Sequence, residues 1–484
     1  MINTTYKYYI PIILLIVSAF ILLQSPLAPF ANKMVYNDSA IYIYSAKEIL
    51  KGKLMYKEIF DHKGPMLYVI NIIGLWILKG NLTGIWLVEL FFLFITSLYI
   101  FKTARFFVDD KVAVISSIYL LFTLPPLISH GNIPEEYALP FMAVSGYILT
   151  GYITKQRVMK YLDVLLVSVC FSMTFLLRPN LVPLWTGFAV VILFSLIRER
   201  KYKDIFTYSS LVITGVVLTV LPFLLYALKN KILSDAIFCI WKFNMAYSNH
   251  TLTKIMQAAY KSTEDINKTY LTMLLLIYVW YLVLNFKREG NKLLHAVVII
   301  NIVLTMFISC GFGWFFVHYA VAYVPVVCVA VVLCFSIIAK YGKGIIFPLG
   351  VMLILTFQAL VVQYTSIVDA YVPKPGISSV TNFIKDATKE GDTIAIVGND
   401  SRFYFMSGRS SCSKYHYLNP LLDVAAYNSL IRGEFCADLI KNKPKLIVVH
   451  TQYGMSGCIA EIIGKDYNPS TQLRNGSMVI YLLK

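Results

Sequence analysis

Charge is scarce in this 484-residue sequence, at 14% Asp, Glu, Lys and Arg, and acids are scarcer still, with 26 against 43 bases. Together with 58% hydrophobic residues and a mean hydropathy of +0.67, that scarcity excludes a soluble globule of ordinary composition. The eight cysteines form no CxxC pair and no Cys/His metal spacing, so the sequence holds no zinc module and no redox dithiol. Cys170, Cys310, Cys328 and Cys334 fall in apolar runs as small core residues. Cys412, Cys436 and Cys458 sit near the C-terminus, where a disulfide can form but spacing does not say which. There is no GxGxxG turn or P-loop to cradle a soluble nucleotide. A soluble basic domain with interleaved aromatics is also missing, which argues against a nucleic-acid partner. We find no internal repeat and no low-complexity tract.

What is present is a series of apolar runs, each near the roughly 20 residues that cross a bilayer. They cover 9–24, 84–101, 112–130, 136–153, 161–177, 181–197, 206–228, 269–286, 293–312, 318–339 and 345–365, about eleven crossings in all. The expected fold class is therefore a multispanning α-helical membrane protein. The first run lacks a small-residue cleavage site and is expected to stay as an anchor. Alternate links, "FKTARFFVDDK", "TKQRVMKY", "RERKYK", "FKREGNK" and "KYGK", are rich in Lys and Arg. That pattern places them and the N-terminus in the cytoplasm of a plasma-membrane protein, and it accounts for much of the net charge of +17. The assignment requires that "MLYVINIIGLWILK", 66–79, lie as an interfacial or re-entrant helix within a first outer loop spanning 25–83. The lysine-rich 229–268 stretch reads as a long outer loop, which obeys the charge rule poorly at that length.

Residues 1–371 are expected to form the membrane domain and 377–484 an extracytoplasmic α/β domain, joined by the stiff linker "VPKPG" at 372–376. In the tail, "SSVTNFIKDATKEG" reads as a helix before the strand "DTIAIVG". "SLIRGEFCADLIKNKPKLIVVH" repeats the pairing, and Asn475–Gly476 signals a hairpin turn in "TQLRNGSMVIYLL".

The outer side gathers the ionisable groups. Asp38 opens a helical pattern that runs to Lys51 and ends at Gly52; it can serve as an N-cap, or as a base that takes a proton from an incoming hydroxyl or amine. Lys63 in "FDHKGP" lies outside against the topological bias, where it can reach for headgroups or grip a lipid phosphate. Arg178 in "LLRPN" and His318 in "WFFVHY" can add donors to that phosphate. Glu135 and Glu136 follow Pro134 at a helix start, a pattern that suits the helix dipole as well as a site. Asp109–Asp110 falls in a cytoplasmic link, and the outer side has no metal-ligand cluster, so no metal or other cofactor is expected.

"NDSAIYIYSAKEILKGKLMYKEIFDHKGP", "NIPEEYALPF", "VHYAVAYVPV" and the α/β tail resemble the GT-C membrane glycosyltransferases. The similarity is to the bacterial branch related to protein O-mannosyltransferases and the lipid A aminoarabinose transferase. It implies transfer of a sugar from a polyprenyl phosphate donor to an extracytoplasmic acceptor of the cell envelope, usually with inversion. The family's first-loop acid falls on Asp38, its phosphate-contacting lysine on Lys63, and its second acid on Glu135 or Glu136. Ser39 and Gly64 depart from the family pattern, which has Glu after the first acid and often Pro after the lysine. The competing readings are a transporter or flippase of lipid-linked sugars and an inactive envelope-assembly scaffold.

Overall fold

The structure, a computed structural model, describes residues 6–31, 34–128, 131–248, 251–285, 291–311, 313–341, 346–371, 377–473 and 478–484. The expected linker at 372–376, the Asn475–Gly476 turn, residues 286–290 of the link 286–292 and residues 342–343 of the link 340–343 lie outside the described residues.

The chain opens with α1 (Tyr6–Leu22), α2 (Asn37–Leu50), α3 (Pro65–Ile77), α4 (Thr83–Ala104) and α5 (Asp110–Phe122). Further long helices follow at Pro134–Ile153, Tyr161–Leu177, Pro183–Arg198, Tyr202–Lys229, Lys292–Cys310, Tyr323–Tyr341 and Ile346–Tyr371. Among the described residues five helices are long and apolar enough to cross a membrane, or six if one bent pair counts as a single span. That pair is Leu252–Asn267 with Leu271–Asn285, bent by 95°. The 229–268 stretch, expected as a loop, is therefore largely helical. Its Leu252–Asn267 helix buries only Ala258, Ser262, Asp265 and Ile266, the mark of an amphipathic surface helix. The Tyr202–Lys229 helix leaves Ile213, Leu218 and Leu225 exposed, as a helix facing lipid does.

The two ends of the bundle differ in chemistry. Gln156 Nε2 donates to Phe106 O at 2.8 Å, and Arg105–Asp110 and Arg157–Asp163 ion pairs close the basic links at that end. At the opposite end, Gly64 N donates to Leu177 O at 3.2 Å, fixing the start of α3 beside the end of the Tyr161–Leu177 helix. Gly74 on α3 packs against Gly84 and Ile85 in the first turn of α4, and Glu89 of α4 meets Asn132 just before the Pro134–Ile153 helix. Both ends of α3 thus lie at the same end of the bundle. Its 13 residues rise about 20 Å at 1.5 Å each, too short for a span.

The C-terminal domain carries a five-stranded sheet of β1 (Thr393–Val397), β2 (Ser410–Ser411), β3 (Leu446–His450), β4 (Tyr467–Leu473) and β5 (Met478–Leu483), ordered β2-β1-β3-β5-β4. β1 is parallel to β2 and β3, while β5 is antiparallel to β3 and β4. The apolar run of β3 is buried along its length, as parallel strands covered on both faces must be. The Ile377–Ala387 helix adds Val380 and Ile384 to the core of Ile394, Ile396, Val448 and Ile480. Tyr44 of α2 enters this same core, and its hydroxyl accepts from Ser411 N at 2.8 Å. Phe60 N donates to Lys414 O at 2.9 Å and Ser410 Oγ to Glu48 Oε1 at 3.0 Å. The segment between α1 and α4 and the C-terminal domain are therefore built together.

Candidate active site at the end of the helical bundle

Asp38 stands in the first turn of α2, where negative charge is favoured by the helix dipole. The N-cap position belongs to Tyr36, and no side chain caps this helix start, so the capping reading of Asp38 is not what the structure shows. Among the described residues no hydrogen bond or ion pair holds the Asp38 carboxylate, which is partly exposed.

Lys63 is delivered by the "FDHKGP" turn. A Cβ on Gly64 would come within 1.9 Å of Leu176 O, so only glycine lets this turn lie against the helix end that carries Arg178. The bond from Gly64 N to Leu177 O joins the residue after Lys63 to the residue before Arg178. Lys63 Nζ lies 2.5 Å from His62 Nε2, and the imidazole stacks near Phe243 and Tyr247. Burial, reinforced by Lys63 and Arg178, holds His62 well below its usual range, so the neutral ring accepts from the ammonium. Burial and Arg178 also lower Lys63, against the opposing pull of Asp61, Asp38 and Glu135. Asp61, not singled out from the sequence, accepts from Tyr68 Oη at 2.6 Å and from Tyr417 Oη of the tail at 3.1 Å. Burial pushes its carboxyl up.

Arg178 ion-pairs with Glu135, donates to Tyr319 Oη at 2.6 Å, and places its guanidinium 4.3 Å from the Tyr319 ring centre. His318 stacks on Phe316 and lies within the fields of Glu135, Arg178, Asp38 and Lys63. Tyr42 on α2 joins the group: burial, then Asp38, Asp61 and Glu135, push its hydroxyl well up, with Arg178 opposing. Asp38, Lys63, Glu135, Arg178 and His318 are thus brought to one place from five separate segments.

Glu136 points elsewhere. The backbone N of Asn132 donates to Glu136 Oε2 at 3.0 Å and to Glu89 Oε1 at 2.5 Å. The Asn132 amide also donates to Ser39 Oγ at 2.8 Å and Asn71 Oδ1 at 3.0 Å. Both Gly131 and Asn132 have positive φ, a strained turn that presents these donors. Among the described residues no group of three or more His, Cys, Asp and Glu gathers at metal-binding distance.

A sequence profile for the family described as "Putative competence-induced protein Ccs4 N-terminal domain" matches residues 2–346. The chain belongs to that family. No curated protein matches the sequence. Among solved structures, ArnT from Cupriavidus metallidurans bound to undecaprenyl phosphate matches with TM-score 0.63 at 9% identity, covering 99% of this chain and 98% of that one. Its apo form gives 0.65 at the same identity and coverage. The archaeal oligosaccharyltransferase AglB from Archaeoglobus fulgidus, in complex with an inhibitory peptide and a dolichol-phosphate, matches with TM-score 0.51 at 11% identity, over 92% of this chain and 70% of that one. The fold is that of ArnT, and more distantly that of AglB.

Proposed function

We propose that the protein transfers a glycosyl group from a polyprenyl phosphate-linked donor to an extracytoplasmic acceptor, with inversion at the anomeric carbon. The observation that carries this reading is the meeting of Asp38 with Lys63, Arg178, Glu135 and His318 at one end of a GT-C bundle. A carboxylate without a partner among the described residues, beside a cluster of cationic donors, is what such a transfer needs. Asp38 draws the proton from the acceptor hydroxyl as its oxygen attacks the anomeric carbon. The bond from that carbon to the phosphate oxygen breaks, and the lipid phosphate leaves with the electron pair. Lys63 and Arg178 carry the charge that develops on the phosphate, and His318 adds a donor. Glu135 orients Arg178, whereas Glu136 belongs with Glu89 and Asn132 and supports the turn rather than the chemistry. The likeness to ArnT with bound undecaprenyl phosphate supports the donor class. A disulfide between Cys436 and Cys458 supports an oxidising, extracytoplasmic setting for the tail.

The test compares membranes holding wild type or Asp38→Asn at equal expression, supplied with radiolabelled polyprenyl phosphate sugars. Loss of general-base help lowers release of free lipid phosphate by about 100- to 10,000-fold. Equal release by the two proteins on every donor would overturn the assignment.

A further inference from the structure

The connection after β1 leads to β2 on one side, while β3 pairs on the other side of β1 and leads on toward β4 and β5. β1 and β3 are therefore the point where the winding of the parallel strands reverses. Open parallel sheets bind ligands in the crevice outside the carboxyl ends of such a pair. Here that edge is occupied by the turn Gly398–Ser401 after β1 and by His450 at the end of β3. A Cβ on Gly398 would meet the His450 ring at 2.4 Å, so the imidazole lies close against the turn. His450 is 8% exposed, and its Nε2 has no hydrogen-bond partner among the described residues. Asn419 Oδ1, on the segment that packs under the same turn, is likewise buried without a partner among the described residues. Two orphaned polar atoms around one turn call for a ligand or its water.

The chemistry at the opening selects the class. Arg402 grips Asp400 through two bonds of 2.6 and 2.5 Å, so this cation is already committed to a carboxylate rather than held out for a phosphate. Burial lowers His450, keeping it a neutral donor and acceptor. Tyr453, 41% exposed, stands 6.2 Å from the His450 ring and offers a flat apolar face with a polar tip. Planar paired polar groups beside an exposed aromatic ring fit the vicinal hydroxyls and C–H face of a sugar. The turn also touches the candidate active site, because Asn37 Nδ2 donates to Asn399 O at 2.9 Å one residue before Asp38.

We propose that the carboxyl edge of β1 and β3, with His450, Asp400, Arg402 and Tyr453, is a saccharide-binding subsite that holds the acceptor glycan. Only the word acceptor rests on the transferase reading; the saccharide class rests on the tail alone.

Saturation-transfer NMR of the full chain in nanodiscs, with methyl glycosides of glucose, galactose, N-acetylglucosamine and rhamnose as probes, tests this. We expect transfer to the ring protons of at least one glycoside with wild type, reduced at least severalfold in Tyr453→Ala, whose ring is exposed, and in His450→Gln. Asp38→Asn is expected to keep the wild-type signal while losing turnover, so failure of the subsite and failure of the reaction are read separately. No transfer to any of the four glycosides, or transfer undiminished in either tail variant, overturns the proposal.

Discussion

Gly64→Ala is the substitution whose consequence the geometry sets most closely. The new methyl would start 1.9 Å from Leu176 O, 2.6 Å from Leu176 C and 3.0 Å from Leu177 O. Ordinary contact begins at 3.4 Å, so one backbone must retreat from the other by about 1.5 Å. Neither partner is a flexible side chain that can turn away. Overpacking of this kind costs about 1–3 kcal/mol. The hydrogen bond from Gly64 N to Leu177 O cannot survive the retreat, adding about 1 kcal/mol. The total loss of stability is about 2–4 kcal/mol. On the proposed function the larger effect falls on turnover, because this bond joins the segments that carry Lys63 and Arg178. A displacement of about 1 Å in a catalytic constellation costs on the order of 100-fold in rate. Thermal unfolding in detergent and release of lipid phosphate read the two effects. Gly146→Ala, where a Cβ meets nothing within 4 Å, is the matched control and should melt no lower than wild type. If Gly64→Ala melts with wild type and turns over normally, the close approach does not hold the site together.

Two further predictions concern the tail. Burial disfavours the Glu48 carboxylate, yet hydrogen bonds from Lys51 and Lys53 at 2.7 and 2.6 Å outweigh it and lower its pKa below the ordinary 4.5. A depressed carboxyl contributes stability above its unfolded value and loses it as pH falls through the folded one. Docking of β2 against α2 should therefore loosen below about pH 4.5, seen as faster amide exchange at Ser410 and Ser411, and Glu48→Gln should flatten that dependence. The Cys436–Cys458 disulfide closes a loop of 22 residues, and Cys436→Ser should destabilise the tail by about 3 kcal/mol. Alkylation of the denatured chain with and without reductant should reveal two extra thiols in wild type and none in the variant.

The parts of the fold that sequence made legible are those in which a local pattern decides the outcome. The 66–79 run was short for a span and flanked by lysines, and the helix begins and ends at one end of the bundle. The tail's helix-to-strand pairs carried their periods openly, and β1, β3 and the two antiparallel strands follow them. Direction around an axis was not legible. Glu135 and Glu136 are neighbours at a helix start, and only the packing of the Pro134–Ile153 helix turns one toward Arg178 and the other toward Asn132. Nor could the sequence pair Tyr417 with Asp61 across 356 positions. The helix at 252–267 was readable in "LTKIMQAAYKSTEDIN", where Ile255, Ala258, Ala259 and Ile266 recur at helical spacing, but loop length and lysine content masked it.

Ser39, where the resembling enzymes carry a second acid, bears directly on whether the site has decayed. If the position were merely vacated, its side chain would be idle. Instead Ser39 is buried at 1% exposure, and its Oγ accepts from the Asn132 amide. Asn132 in turn holds Glu89, Glu136 and Asn71, so the serine links the start of α2 to the strained turn before the Pro134–Ile153 helix. A carboxylate there would be a third buried acid beside Glu89 and Glu136, facing like charge and desolvation together. A hydroxyl accepts the same bond without that cost. The departure at Ser39 therefore belongs with the carboxylates of this particular network, and it fixes the helix turn that carries Asp38.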